Sequence, residues 1–254
     1  MDGGREEDRT VRLGDFAALS FDCYGTLVDW EAGLIRALAP WRGRTGVAAD
    51  DEALLAAFAR HETAQQAETP GLAYPALLAR TLGRIAADWR VDVRDDEARA
   101  FGASIGAWPP FPDSACALAY LERHFTLVVL SNVDRANFAA TEAALGVRFD
   151  AVYTAEDIGA YKPDARNFAY LVARLGERGI VASKVLHVAQ SLYHDHVPAK
   201  AAGLATAWID RRAGRPGGAT AQVAESVSYD FRFETLGALA DAHRAESGAT
   251  DTIP

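Results

Sequence analysis

Cysteine and positive charge are both scarce in this chain of 254 residues, and long apolar runs are missing. Its two cysteines, Cys23 and Cys116, are too few for a disulfide framework and lack metal-ligand spacing, which fits a reducing compartment. Lys and Arg number 26 against 35 Asp and Glu, a net charge of −9 that repels nucleic acid and anionic membrane surfaces. No local basic patch offsets that balance. No uncharged apolar stretch approaches the roughly 18 residues of a membrane helix. The acidic opening, Met1 to Asp8, has no apolar segment behind it that could act as a secretory signal. Internal repeats and low-complexity tracts are absent too. The expectation is a soluble, cytoplasmic protein with no nucleic-acid and no membrane partner.

What is present is ordinary globular material, 50% apolar, 24% charged and 9% aromatic, in a chain long enough for a large core with or without a satellite domain. Four short apolar runs end in small or polar residues: Ala17–Phe21, Leu127–Ser131, Val185–Ala189 and Ala205–Ile209. Continuous apolarity at that length predicts strands buried on both faces, hence a parallel sheet. Helical spacing appears between them over Asp134–Leu145, Ala165–Leu175 and Asp195–Ala202, each followed closely by a glycine, at Gly146, Gly176 and Gly203. Strand and helix in alternation define an α/β fold with a doubly wound parallel sheet.

One stretch breaks the alternation. From Glu31 to Ala107 only Ala- and Leu-rich helical patterns occur, at Glu52–Gln66 and Tyr74–Trp89, so a small helical domain is expected there, inserted after the first strand. The chain returns through Trp108–Pro112, where prolines fix φ and remove amide donors, favouring a stiff linker. The expected division is a core of 13–30 and 108–246, a helical cap of 31–107, and flexible tails of 1–12 and 247–254. Arg211–Ser228, with Gly214, Pro216, Gly217 and Gly218, reads as a long surface loop.

Ligands of open α/β sheets bind beyond the carboxyl ends of the strands. The polar residues expected there are Asp22 and Thr26 after the first strand, Ser131 and Asn132 after the second, and Gln190 and Ser191 after a later one, with Asp195 close by. Lys162 lies in the loop ahead of the helix at Ala165, its backbone restricted by Pro163. A carboxylate, a hydroxyl with an amide, a lysine and a second carboxylate therefore converge on one rim. Cys23 points away from its neighbour Asp22 by strand alternation and reads as a small buried hydrophobe; His187 reads as a core histidine.

The phrase Asp22-x-Tyr24-Gly25-Thr26, then Ser131-Asn132, then Tyr161-Lys162-Pro163-Asp164, then Asp195 ahead of Ala199-Lys200-Ala201-Ala202-Gly203, resembles the haloacid dehalogenase (HAD) superfamily. The motifs span the core in that family's order, and the helical insertion matches the position of its small cap. The resemblance implies a HAD-like Rossmannoid fold. Most members of that superfamily are magnesium-dependent phosphatases with a second aspartate two residues after the nucleophile. Here that position is Tyr24, and Ala189-Gln190 stands where their Gly-Asp metal ligand falls. The resemblance is therefore to the L-2-haloacid dehalogenase branch, and it implies no cofactor and no metal.

What that branch implies is a hydrolase in which Asp22 displaces halide from the α-carbon of a short 2-haloacid, forming an aspartyl ester that water then cleaves. Lys162 would keep Asp22 ionised. Thr26, Ser131 and Asn132 would donate hydrogen bonds to the substrate carboxylate or to an oxyanion, and Asp195 would orient the hydrolytic water with help from His194. Arg60 falls where these enzymes place a halide-binding arginine, and Tyr24, Trp41 and Trp108 are candidates for the pocket lining. The sequence departs from the branch at Gln190, where a serine is usual and the polar side chain could substitute, and at Leu192, where an asparagine is usual and it cannot. Phe168 replaces an aromatic hydroxyl, and the run His194-Asp195-His196 is unlike the branch. Those departures open a ring-opening alternative on a carbon electrophile such as azetidine-2-carboxylate, with His194 as proton donor. More distant alternatives are phosphatase activity and a non-catalytic protein that binds a small acid. The expected partner is a small carboxylate; relatives are often dimers, so a homodimer is compatible with the resemblance.

Overall fold

The first strand, β1 (Ala18–Phe21), lies at the middle of a sheet in which every neighbouring pair is parallel. The computed structural model describes residues 11–215, 217–220 and 226–248. Five strands follow β1: β2 (Thr126–Ser131), β3 (Ala151–Thr154), β4 (Val185–Ala189), β5 (Ala205–Ile209) and β6 (Phe231–Phe233). Their order across the sheet is β3-β2-β1-β4-β5-β6. The winding reverses at β1, whose carboxyl end, with those of β2 and β4, opens the crevice where such sheets bind ligands. All residues of β1 and β4 are buried, as their unbroken apolarity predicts. The strands β3 and β6, which the sequence pattern misses, lie at the two sheet edges, are four and three residues long and are partly exposed, so no continuous apolar run marks them.

The insertion after β1 carries α1 (Trp30–Thr45), α2 (Asp51–Glu68), α3 (Tyr74–Asp88) and α4 (Asp95–Gly102). Carboxylates start two of them, Asp29 accepting from the Ala32 amide and Asp50 from the Ala53 amide. Leu54, Leu55, Phe58, Leu77, Leu78, Leu82, Ile85 and Phe101 are buried where α2, α3 and α4 meet. Gly102 permits the tightest approach, since a Cβ there would overlap the carbonyl oxygen of Pro75. The rest of the chain adds α5 (Ser114–Leu121), α6 (Arg135–Leu145), the short α7 (Ala155–Ile158), α8 (Ala165–Gly176), α9 (Val197–Ala201) and α10 (Leu236–Ser247). None of the described helices is long and apolar enough to cross a membrane.

Three local expectations change. The helix expected over Asp195–Ala202 is a π-helical turn, Leu192–His196, running into α9, so Asp195 sits within a wide turn and not at a helix start. Gly176 is the last residue of α8, and the left-handed conformation falls on Gly179 (φ 79°). The long loop after β5 is not simply surface: Ala219 and Thr220 are buried, and Arg212 reaches from it to Glu31 (2.6 Å) and Glu52 (2.7 Å) on the inserted helices. Pro216 and residues 221–225 lie outside the described residues. Of the expected flexible tails, 1–10 and 249–254 also lie outside them, whereas Arg12 donates to the Glu246 carbonyl oxygen at 2.9 Å.

Candidate active site

The backbone after β1 turns sharply at Gly25, whose φ of 95° suits a residue without a Cβ, and this leaves the Asp22 side chain at the strand's carboxyl end. One carboxylate oxygen, Oδ1, accepts from Lys162 Nζ at 2.9 Å, and the other, Oδ2, accepts from Thr26 Oγ1 at 2.6 Å. The Lys162 ammonium uses its other donors on the Leu130 carbonyl (3.0 Å) and on Asp195 Oδ1 (2.6 Å). Asp195 Oδ1 is also bonded to His187 Nε2 at 3.0 Å, and His187 Nδ1 meets Ser20 Oγ at 2.8 Å. A buried chain thus runs Thr26, Asp22, Lys162, Asp195, His187, Ser20, drawing on β1, β4, the π turn and the loop before α8.

Burial raises the Asp22 carboxyl from its ordinary range, against the opposing pull of Lys162; the Asp195 charge adds to the rise. Desolvation alone would push Asp195 up as well, but Lys162 and His187 hold it well below the usual carboxylate range. The same two carboxylates hold the Lys162 ammonium protonated against its burial. Lys162 therefore lowers the Asp22 pKa as a cation should, and desolvation outweighs it. A carboxylate stripped of water is the stronger nucleophile.

Above this chain lies a cavity of about 410 Å³, including its mouth, lined by both carboxylates, Lys162, Ser131, Asn132, Ser191 and His194 and closed by Tyr24, Trp30, Glu62 and Tyr74. Ser131 Oγ, His194 Nε2 and Asp195 Oδ2 are buried there without a hydrogen-bond partner among the described residues. Polar atoms left unpaired in a buried wall are ready to meet a polar ligand. The His194 ring shares Nδ1 with Ser191 Oγ (3.2 Å), and burial pushes its pKa down to about 4, so the imidazole is neutral.

Several expected site residues stand elsewhere. Arg60 is on the outer face of α2, two residues from both Phe58 and Glu62 and so about half a turn away; it pairs with Asp88 at 2.5 Å. Trp41 is buried among the inserted helices with its Nε1 on the Asp92 carbonyl, and Trp108 stands behind the wall, edge to face with Tyr24 at 5.6 Å and close over Gly33. Gln190 does not line the cavity: it donates its amide to Thr26 Oγ1 (2.9 Å) and accepts from Oγ1 of the cavity-lining Thr220 (3.0 Å). Thr26 and Asn132 are braces more than donors to a ligand. The Thr26 proton goes to Asp22, and the Asn132 carboxamide grips the Lys162 backbone at both its amide (2.7 Å) and its carbonyl (3.1 Å). Tyr24 does line the cavity, with its hydroxyl turned to Thr141 (2.8 Å). His196 bonds the Ala189 carbonyl (3.0 Å) and is not a cavity residue.

Glu62, Tyr74, Trp30 and His187 escaped the sequence reading. Glu62 carried a signal, since it interrupts the buried face of α2 one turn after Phe58. His187 is buried as a core histidine should be, yet its ring serves Asp195.

Comparison with known proteins agrees with this architecture. The family model for haloacid dehalogenase-like hydrolases matches residues 16–203, and the chain belongs to that family. A defluorinating L-2-haloacid dehalogenase superposes with a TM-score of 0.74 at 22% identity, covering 93% of this chain and all of its own length (100%). The L-2-haloacid dehalogenase of Xanthobacter autotrophicus, with chloropropionic acid covalently bound, gives 0.74 at 19% identity over 92% of this chain and 100% of its own. YfnB of Bacillus subtilis, described as a HAD-family hydrolase and bound to magnesium, gives 0.72 at 15% identity, with coverage of 90% and 99%. At such identities the likeness carries the fold. Among curated proteins none matches.

Magnesium, held by one of these neighbours, does not suit the residues here. The Lys162 ammonium fills the gap between Asp22 and Asp195, Tyr24 turns its hydroxyl to Thr141, and the Gln190 carboxamide is taken by Thr220. No group of three or more His, Cys, Asp or Glu among the described residues is placed to hold a metal ion.

Proposed function

We propose that this chain hydrolyses a carbon–heteroatom bond at the α-carbon of a short 2-substituted carboxylic acid, without a metal, through an ester on Asp22. The observation that carries this reading is the Asp22 carboxylate itself, buried, gripped on one oxygen by Lys162 and on the other by Thr26, with no second carboxylate where Tyr24 stands. In the first step an Asp22 oxygen attacks carbon and the leaving group departs with the bonding pair. Ser131 Oγ, unpaired in the wall, would receive the substrate carboxylate. In the second step water attacks the Asp22 carbonyl carbon, with His194 Nε2 and Asp195 Oδ2 as the proton acceptors left without partners. Lys162 stays charged throughout and stabilises Asp22 as it is released. The first substrates to test are 2-haloacids, the class named for the structural neighbours.

The test is halide release from both enantiomers of 2-chloropropionate and from chloroacetate in excess EDTA, by wild type and Asp22→Asn. A single turnover in ¹⁸O-water, read by mass spectrometry of the Asp22 peptide, accompanies it. Release that survives chelation, disappears in the variant and leaves ¹⁸O in Asp22 supports the reading. Turnover retained by Asp22→Asn, or abolished by EDTA, sinks it.

A further inference from the structure

The cavity contains an acid that the Asp22 steps leave idle. Glu62 of α2 is 3% exposed and lines the wall together with Tyr74 of α3. Its Oε1 accepts from the Tyr74 hydroxyl at 2.8 Å and from Gln66 Nε2 at 2.9 Å, and no Lys or Arg among the described residues is bonded to it. Oε2 has no hydrogen-bond partner among the described residues. Because both donors converge on Oε1, the proton of the neutral acid belongs on Oε2, the oxygen left for the cavity. Burial pushes the Glu62 pKa up to about 7, with the Tyr74 hydrogen bond opposing, so both forms exist near neutrality.

The surrounding charges decide what such an acid can serve. Tyr74 and Tyr161, 6.1 Å apart between ring centroids, are phenols whose own pKa values burial raises, and neutral His194 lies on the same wall. Asp22, Asp195 and Lys162 form the floor, and among the described residues Lys162 is the only Lys or Arg lining the cavity, already shared by two carboxylates. A departing halide needs no proton, and an ionised Glu62 would repel it. A departing alkoxide oxygen does need a proton, and it leaves carbon readily only where a strained ring opens; a ring amine is already protonated near neutrality and leaves as the neutral amine. Ring opening also keeps both halves in one small molecule, which suits a single small cavity.

Resting on the Asp22 reading, we propose that Glu62 is the catalytic acid for the leaving group, and that the preferred substrate is a strained cyclic-ether 2-carboxylate whose ring oxygen leaves protonated. Asp22 forms the C–O bond as the ring carbon–heteroatom bond breaks. The electron pair goes to the ring oxygen, which takes the Glu62 proton and becomes a hydroxyl. Hydrolysis of the Asp22 ester then consumes one water, releases the second hydroxyl and returns one proton to Glu62. The sum is ring acid plus water giving a ring-opened hydroxy acid.

Turnover of oxirane-2-carboxylate, azetidine-2-carboxylate and 2-chloropropionate by wild type, Glu62→Gln and Asp22→Asn between pH 5.5 and 8.5 tests this. The azetidine, protonated on its ring nitrogen across this range, is the arm whose leaving group draws no proton from Glu62. Wild type should open oxirane-2-carboxylate, with kcat/KM falling above about pH 7. Glu62→Gln should lower oxirane opening by roughly 100-fold or more and remove that pH limb. Any halide release should not fall in Glu62→Gln and should rise above about pH 7, because a halide draws on no general acid and is repelled by the ionised carboxylate. Oxirane opening by Glu62→Gln at the wild-type rate, equal losses on oxirane and haloacid, or no oxirane opening by wild type overturns the proposal and leaves the Asp22 ester intact. Ring opening retained by Asp22→Asn overturns the underlying reading instead.

Discussion

Glu62 should leave a mark on stability that does not depend on any substrate. Its pKa is 4.5 for an ordinary glutamate and about 7 in the folded chain, because burial removes water from the carboxylate and supplies no cation. Between those values the folded state holds a proton that the unfolded chain has lost. Stability therefore declines as pH rises from about 4.5 to about 7 and is level above that. The gap, at roughly 1.4 kcal/mol for each pH unit, amounts to about 3 kcal/mol. Glu62→Gln keeps the shape and the Oε1 acceptor for Tyr74 while removing the ionisation. Thermal melts of both proteins from pH 5 to 8.5 measure the difference, in which the other titrating groups cancel. The variant should gain about 3 kcal/mol on wild type across that range, or roughly 6–12 °C in Tm for a chain of this size. A Tm difference constant within about 1 °C, or one shrinking as pH rises, would refute the assignment of a desolvated, unpaired carboxyl.

Two other substitutions probe the frame of the site. Lys162→Met leaves the buried Asp22 and Asp195 facing each other without their cation; urea unfolding at pH 7 should show a loss of about 3–5 kcal/mol, smaller at pH 5 where a carboxyl can protonate. A loss under about 1 kcal/mol would mean that the pair is solvated. Gly102→Ala places a Cβ on the Pro75 carbonyl where α3 and α4 pack, so unfolding should show roughly 1–3 kcal/mol of destabilisation. An unchanged midpoint would show that those helices separate freely.

The parallel sheet was legible in the sequence because its inner strands are buried on both faces. Leu19, Phe21, Val128, Leu130, Leu186 and Val188 must all be apolar, and their runs end abruptly at Asp22, Ser131 and Gln190. The edge strands β3 and β6 carry no such constraint and gave no pattern. Asp22, Ser131, Lys162 and Asp195 could be grouped because chain order and the rule of carboxyl-end sites already place them on one rim. Arg60 could not be placed from sequence spacing, because a position two residues from a buried one falls on the opposite face of the helix.

What the sequence determined by itself is the sheet, its helical insertion and the polar residues at the strand ends, each set by local periodicity or by a short motif. Only the tertiary structure decided which atoms those residues have to spare. Thr26 and Asn132 are committed to Asp22 and to the Lys162 backbone, while Ser131, His194 and Asp195 keep an unpaired atom for the cavity. It also set Glu62 from α2 and Tyr74 from α3 over Asp22, positions 40 and 52 residues away along the chain. Sequence periodicity states which face of a helix is buried; it does not state what that face is buried against, and at this site that contact fixes the charge of the cavity.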